Sequence, residues 1–230
     1  MEIKEIFKKY GIELNENQIW QFEEYHKFLV SENEKYNLTA ITEKEEVYVK
    51  HFLDSALGEK FIDKNALVVD IGSGAGFPAI PLKIVRPDLK FVLVDSLNKR
   101  VNFLNMLIEK LKLKDVVAVH ARAEDYIKDK RESFDYAIAR AVAPLNTLLE
   151  YLSPYVKVGG KCLIYKAQKL EEEIRQSKNA LSILNLKIEK VESFKIEEID
   201  AERKILLVEK ISKTPPKYPR GKNLPKLKPL

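Results

Sequence analysis

The segment Asp70-Ile71-Gly72-Ser73-Gly74-Ala75-Gly76-Phe77-Pro78 closes the apolar run Ala66 to Ile71, and it narrows what the surrounding chain can fold into more than any other stretch. Glycines at 72, 74 and 76 let the backbone turn sharply out of a strand and let a ligand press against peptide N–H groups with no Cβ between. Dinucleotide sites use G-x-G-x-x-G, which from Gly72 would need glycine at 77, where this chain has Phe77. The spacing here is G-x-G-x-G. A second acid, Asp95, ends the next apolar run Phe91 to Val94, roughly 20 residues beyond the turn, where a carboxylate can accept from ribose hydroxyls. A pyrophosphate wants N–H donors and no carboxylate at the strand end. Asp70 at that end suits a cationic ligand instead. S-adenosylmethionine, with an ammonium group, a sulfonium and no phosphate, fits these residues. The competing reading is a tight strand-to-helix turn without a ligand, and the two acids at matching strand ends weigh against it.

From Ala66 onward strand-like runs alternate with helical ones. The strands are expected at Ala66 to Ile71, Phe91 to Asp95, Val116 to His120, Phe134 to Ala139 and Lys161 to Lys166. Helices are expected at Pro78 to Val85, Lys99 to Leu111, Leu145 to Val156 and Leu170 to Leu184. This alternation predicts an α/β chain with a mostly parallel sheet and helices on both faces. Lys187 to Phe194 and Lys204 to Lys210 have no helix-length spacer and should pair as an antiparallel edge hairpin. Five βα units followed by such a hairpin resemble the class I (Rossmann-like) methyltransferase fold, with seven strands. Upstream, Ile19, Phe22, His26 and Leu29 recur at helical spacing within Asn15 to Tyr36. A second helix is expected from Thr42, which has capping-box spacing to Glu45, through Val47, His51 and Leu57. The expected organisation is a helical section over 1–65, a core over 66–211 and a tail over 212–230.

In such a sheet ligands lie at the carboxyl ends of the strands. The candidates there are Asp70, Asp95, Ala123 with Glu124 after strand three, Arg140 after strand four and Lys166 after strand five. Ala123 and Glu124 stand where an adenine amino group is commonly met. Arg140 and Lys166 stand where a methyl acceptor would approach. For Arg140 a salt bridge to Asp135 or Glu124 is an equal alternative, and for Lys166 a structural ion pair is too. Charge singles out the other candidate surface. From Lys210 onward the chain has seven Lys or Arg and no acid, together with five of its ten prolines, which oppose helix and central-strand structure. Such a tail suits a phosphate backbone, with a disordered solubilising terminus as the alternative. One cysteine, Cys162, excludes an internal disulfide and a multi-cysteine zinc cluster, and its apolar setting reads as core. No run approaches 18 apolar residues, so a soluble, cytoplasmic chain with no membrane partner is expected.

Beyond these single residues, an ordered set of motifs resembles the small-subunit (16S) ribosomal RNA methyltransferase G family, also called glucose-inhibited division protein B. They are Asn37-Leu38-Thr39-Ala40-Ile41, His51-Phe52-Leu53-Asp54-Ser55, the glycine segment, Asp95-Ser96 with Lys99-Arg100 and Phe103-Leu104, and Arg140-Ala141, spread over about residues 15 to 210. The resemblance implies methyl transfer from S-adenosylmethionine to N7 of a guanine in 16S ribosomal RNA. It also implies that Gly72, Phe77, Ala123, Glu124 and Arg140 line the cofactor site, beside Asp70, Gly74, Gly76 and Asp95 from the residue argument. Arg140 and Lys166 are the candidates to orient acceptor or cofactor. Lys99, Arg100, Lys217, Arg220, Lys222 and Lys226 are the candidates to meet RNA. No metal is expected: His51 and Asp54 share a helix face but lack further ligands, and packing near the cofactor is the reading for both. Asn37 could hold its loop over the site. Trp20 is expected in the core. The partner is 16S ribosomal RNA or the small ribosomal subunit, and a monomer is expected with the oligomeric state left open. The rival classes are a methyltransferase with another acceptor and an RNA-binding assembly factor without turnover.

Overall fold

The computed structural model describes residues 2–140, 142–167 and 169–230; Ala141 of the Arg140-Ala141 motif lies outside the described residues, as do Met1 and Gln168. Helix α1 (Ile3–Lys9) is short, and Asn15 then starts the long helix α2 (Glu16–Tyr36). The Asn15 side chain accepts from the Gln18 N–H at 3.0 Å while the Gln18 side chain accepts from the Asn15 N–H at 2.9 Å, a reciprocal cap. Next come α3 (Lys44–Val47), a π-helical stretch (Tyr48–Leu53) and α4 (Asp54–Ala56) in unbroken succession. The expected cap at Thr42 is not formed. The helix begins two residues later, because the Thr42 carbonyl accepts from His26 Nε2 at 3.1 Å and holds this segment to α2.

The remainder is β1 (Leu67–Ile71), α5 (Ala79–Val85), β2 (Lys90–Asp95), α6 (Asn98–Lys110), β3 (Val116–His120), α7 (Ala123–Tyr126), β4 (Phe134–Arg140), α8 (Leu145–Leu152), β5 (Val156–Lys166), α9 (Leu170–Gln176), α10 (Lys178–Ile183), β6 (Leu186–Ile196), β7 (Ala201–Lys210) and α11 (Leu224–Leu227). The sheet order is β3-β2-β1-β4-β5-β7-β6. All pairs from β3 to β5 are parallel, and β7 runs antiparallel to both of its neighbours. This is the class I methyltransferase sheet, with the hairpin at its edge. Strand periodicity divides the core: Val68, Leu93, Ile138 and Leu163 face a layer with α1, α2, α5 and α6, while Val69, Val94, Ala139 and Ile164 face α8, α9 and α10. Cys162 lies in the second layer, fully buried, with its thiol pushed up to about 12 by desolvation.

Two element boundaries depart from expectation. Val156 already pairs with Phe134, and the register shifts before Lys161 meets Tyr136, so β5 starts earlier than the apolar pattern suggests. The helix after β5 breaks at Ser177, whose Oγ donates to the Glu173 carbonyl at 2.7 Å, a back-bond that competes with helical geometry. Trp20 is a plain correction. It is 38% exposed, because Phe22, Tyr25 and Leu29 take the inward face of α2 and leave Trp20 under the Lys112 ammonium at 5.8 Å.

The tail is also not the extended segment that its prolines suggest. It folds back across α8: Arg131 donates to the carbonyls of Tyr218, Thr214 and Pro215 at 2.8 to 3.0 Å, and Thr147 Oγ1 donates to the Pro225 carbonyl at 3.0 Å. Arg220 forks onto Glu150, a carboxylate of α8 with no exposed surface, at 2.9 and 2.6 Å. Lys210 is likewise a buried strut, donating to Glu132 and to the Ser153 and Val156 carbonyls. A proline at the first turn of α11 is tolerated, since the N–H it lacks would have no helical partner there.

The helical section is fitted to the sheet with little slack at Gly58. A Cβ there would lie 2.0 Å from the Tyr165 hydroxyl, which donates to the Ser55 carbonyl at 2.7 Å. Gly58→Ala is therefore expected to destabilise the protein by about 1–3 kcal/mol, read as a lower urea midpoint, and Gly58→Ala combined with Tyr165→Phe should recover part of the loss.

Candidate active site

The three glycines of the turn after β1 do different work. Gly72, at φ +77, takes a hydrogen bond path back to β2, its N–H donating to the Val94 carbonyl at 2.8 Å. Gly74, at φ +59, donates to Asp95 Oδ2 at 2.9 Å, and nothing but the Gly72 carbonyl stands near the place of its missing Cβ. Gly76, at φ +98, is a packing residue: a Cβ would come within 2.8 Å of the Tyr25 hydroxyl and 2.7 Å of Ile80. Tyr25 in turn donates to the Ala75 carbonyl at 2.5 Å, so α2 grips the turn from below.

Asp70 stands at the head of this turn with no exposed surface, and neither carboxylate oxygen has a hydrogen-bond donor. Burial pushes its pKa well above the usual carboxylate range; the Ser73 hydroxyl and the Ala79 N–H, near the carboxyl without reaching hydrogen-bond geometry, oppose the rise, the Asp95 charge adds to it and Arg140 opposes it. A buried acid without a partner costs several kcal/mol of folding free energy unless a cation or donor meets it.

Two clefts open at the carboxyl ends of the strands. The first is walled by Gly72 of the turn, Ser96 after β2, Ala123 and Glu124 at the start of α7, and Val142 after β4, with Asn223 and Lys226 of the tail closing its outer side. The second lies between the helical section and the ends of β4 and β5, and is lined by Lys50, His51, Asp54, Arg140, Lys166 and Arg203. The end of β4 serves both, since Arg140 enters the second and Val142 the first.

In the second cleft Arg140 is the hub. Its guanidinium donates to Asp54 Oδ2 at 2.8 Å and to the Lys50 carbonyl at 3.2 Å, approaches His51 Nδ1 at 3.2 Å, and lies 4.9 Å above the Phe77 ring. The Arg140 guanidinium at 3.2 Å and the Lys50 carbonyl at 3.1 Å compete for His51 Nδ1, while His51 Nε2 pairs with Thr39 Oγ1 at 2.8 Å. Burial, then the Arg140 charge, lower the His51 pKa to about 4, so the ring is neutral at pH 7. Asp54 also meets Arg203 Nε at 3.4 Å; burial nonetheless holds its pKa above the usual value. Lys166 is pinned by Glu173 at 2.6 Å and the Ala143 carbonyl at 2.9 Å.

With this geometry in place, comparison with known proteins is decisive at the level of family. The model for rRNA small subunit methyltransferase G matches residues 18–206. The chain belongs to that family. Relatives named ribosomal RNA small subunit methyltransferase G include one from Alkaliphilus metalliredigens, 45% identical with 100% of this chain and 98% of the relative covered, and one from Bacillus cytotoxicus, 50% identical with 96% and 94% covered. Among solved structures, M. jannaschii TYW2 in complex with AdoMet shares the fold at 20% identity and a TM-score of 0.56, covering 69% of this chain and 75% of that one.

The family motifs converge in space. Thr39, His51, Asp54, Phe77 and Arg140, from four separate segments, form one contact network. Ala123, Glu124 and Gly72 share the first cleft. The other expected cofactor contacts, Asp70, Gly74, Gly76, Phe77, Asp95 and Arg140, are not at its wall. Asp95 is 3% exposed and its carboxylate is engaged by the N–H groups of Gly74 and Leu97 at 2.9 Å, with Arg100 at 3.5 Å, so it shapes the turn while Ser96 faces the cleft. Phe77 lies under Arg140 and stacks on His51, 4.6 Å between ring centroids. Neither alternative partner of Arg140, Asp135 or Glu124, is the one it takes. Of the RNA candidates, Lys99, Lys217, Lys222 and Lys226 are exposed, whereas Arg100 faces Asp95 and Arg220 faces Glu150. Asn33, not Asn37, holds the loop before the second cleft: its side chain bonds the Leu38 and Thr39 N–H groups and the Thr39 carbonyl, and Asn37 caps α2 in left-handed geometry. Lys50 and Arg203 carried no signal in the sequence, since their partners come from distant segments, whereas the Asn33 bonds are local, to residues five and six positions on. Among the described residues, no group of three or more His, Cys, Asp or Glu is placed to hold a metal, and no helix is long and apolar enough to cross a membrane.

The depressed His51 pKa has a signed consequence. The unfolded ring, at about 6.5, binds a proton that the folded ring refuses until about pH 4, so this contribution to stability is full above pH 6.5 and is lost as pH falls towards 4. The His51 ring resonances should titrate near pH 4. His51→Gln should remove an acid-side loss on the order of 2 kcal/mol from the pH–stability curve, and Arg140→Gln should move the His51 midpoint upward.

Proposed function

We propose that this chain transfers a methyl group from S-adenosylmethionine to N7 of a guanine in 16S ribosomal RNA, with the rRNA or the small ribosomal subunit as its partner and the cytoplasm as its place of action. The observation that carries the reading is the buried Asp70 carboxyl, without a hydrogen-bond partner, at the head of a glycine turn whose Gly72 walls the first cleft. That donor set fits S-adenosylmethionine and fits a phosphate ligand badly: a carboxyl where phosphates would sit, an open face at Gly74, and no cation on the turn. When bound, S-adenosylmethionine supplies a methyl group made electrophilic by its sulfonium.

The residues of the chain do the rest by placement. Asp70 favours the cationic end of the cofactor, Gly72 allows close approach along the turn, and Ala123 with Glu124 meets the adenine end. Guanine N7 has an in-plane lone pair and no hydrogen, so no side chain has to remove a proton. His51 is neutral with both ring nitrogens engaged and takes no part in proton transfer. The task of the second cleft is orientation, which can contribute roughly 7–11 kcal/mol at its upper limit for a well-aligned pair. Arg140 and Lys166, fixed by Asp54 and Glu173, are arranged to donate to guanine O6 or to a flanking phosphate, with Lys50 and Arg203 as neighbouring cations. A rim of cations also attracts the RNA backbone.

The test is transfer of labelled methyl to small subunits that lack native N7-methylguanine, with the modified nucleotide mapped. Wild-type protein should label one guanine N7 in 16S rRNA. Asp70→Asn, which keeps the shape and removes the charge, should raise the cofactor Kd by roughly ten- to a hundredfold. The turnover rate should stay flat from pH 7 to about 9, as expected where no general base acts. Label on another acceptor would move the substrate and keep the cofactor, and cofactor binding without transfer would favour the assembly-factor reading.

A further inference from the structure

The family model ends at residue 206, yet the first cleft is not complete there. Its outer side is formed by Asn223 and Lys226, which come from the tail and face Ser96, Ala123 and Glu124 across the opening. These two residues are brought to the cleft by a built connection. Arg131 holds the carbonyls of Thr214, Pro215 and Tyr218, Arg220 forks onto the fully buried Glu150, and Thr147 takes the Pro225 carbonyl. Every one of these anchors lies on or beside α8, whose Tyr151 also lines the cleft. A terminus kept only for solubility would not bury Tyr218 and Pro225 or satisfy a carboxylate with no exposed surface.

Resting on the cofactor assignment above, we propose that the segment after β7 is a strap that completes the adenine end of the cofactor site, with Asn223 and Lys226 as binding residues and the Glu150–Arg220 pair as the lock that positions them. The chemistry of the two residues suits a purine edge. An amide accepts from the 6-amino group of adenine and donates to a ring nitrogen, while an ammonium only donates. The strap thus joins Ala123 and Glu124 in selecting an adenine over a 6-oxo purine. Its polar residues serve the cofactor, whatever its exposed lysines contribute to RNA.

The experiment measures binding of S-adenosylhomocysteine and of its 6-oxo analogue, S-inosylhomocysteine, to full-length wild type, Asn223→Ala and Arg220→Gln, with a melting curve for each. Asn223 is exposed and stands in left-handed geometry at the N-cap of α11, so Asn223→Gly, which tolerates that backbone, is run beside Asn223→Ala and keeps the test valid if Asn223→Ala or Arg220→Gln loosens the tail. Asn223→Ala is expected to lower S-adenosylhomocysteine affinity by roughly three- to tenfold and to shrink the preference over the inosyl analogue by a similar factor, and Arg220→Gln to lower the affinity comparably. RNA affinity and its salt slope should not move in either variant, since neither loses a phosphate contact. Unchanged cofactor affinity and unchanged purine preference in Asn223→Ala would overturn the proposal. A fall in RNA affinity with cofactor affinity intact would also overturn it and return the tail to an RNA-docking role. Wild-type protein that bound neither ligand would instead remove the cofactor assignment itself.

Discussion

The guanidinium of Arg140 is the point on which the site depends. It ends the central strand β4, yet its partners Asp54, His51 and the Lys50 carbonyl all belong to the helical section, and the ring beneath it belongs to the glycine turn. Three parts of the chain that fold by different rules are therefore held in one register. A chain of rings reinforces the same junction: Phe7, Phe22, Phe52, Tyr25 and Phe77 follow one another at centroid distances of 4.7 to 5.6 Å. Such pairs contribute about 0.5–1.5 kcal/mol each beyond simple burial. Replacing Arg140 by a neutral side chain would leave Asp54 buried with only Arg203 at 3.4 Å, which is a larger loss than the removal of one exposed ion pair.

Asp70 shows the opposite economy. Folding leaves it unpartnered in the interior, against the usual rule that buried carboxylates are paired. The packing of Tyr25 beneath Gly76 and the two N–H donors on Asp95 hold the turn rigid enough to tolerate that local cost. Rigidity of this sort favours function, because a turn free to relax would swing a backbone amide or water onto Asp70 and weaken its attraction for a cation. Asp95 therefore braces the turn, while Asp70 is held buried at its head.

Much of this was legible in the sequence because strands and turns have short-range signatures. Alternation set the strands, the glycine spacing set the turn, and the places of Ala123, Glu124 and Arg140 beside clefts followed from where the strands end. The role of Asp95 was not legible, because whether a strand-end acid faces a ligand or a neighbouring turn depends on the register of β2 against β1. Nor was the position of Trp20, where the difference between a core and a rim residue is a rotation of a fraction of a helical turn. The bond of Tyr165 to the Ser55 carbonyl joins segments whose proximity exists only in the fold.

The tail is the clearest case of a pattern read at too coarse a scale. Its excess of positive charge and its prolines describe an extended, phosphate-seeking segment, and composition treats its cations as equivalent. Geometry separates them. Arg220 is a planar fork matched to a carboxylate, and it is withdrawn from any RNA surface by Glu150, which stands 70 residues earlier in the chain. Lys210, at the end of β7, is withdrawn by the Ser153 and Val156 carbonyls. Lys217 and Lys222 remain free to act through long-range attraction, which falls with salt and needs no fixed geometry. A single short segment therefore carries two kinds of cation: Arg220, whose fork fixes the segment against α8, and exposed ammonium groups that add to the positive field around it.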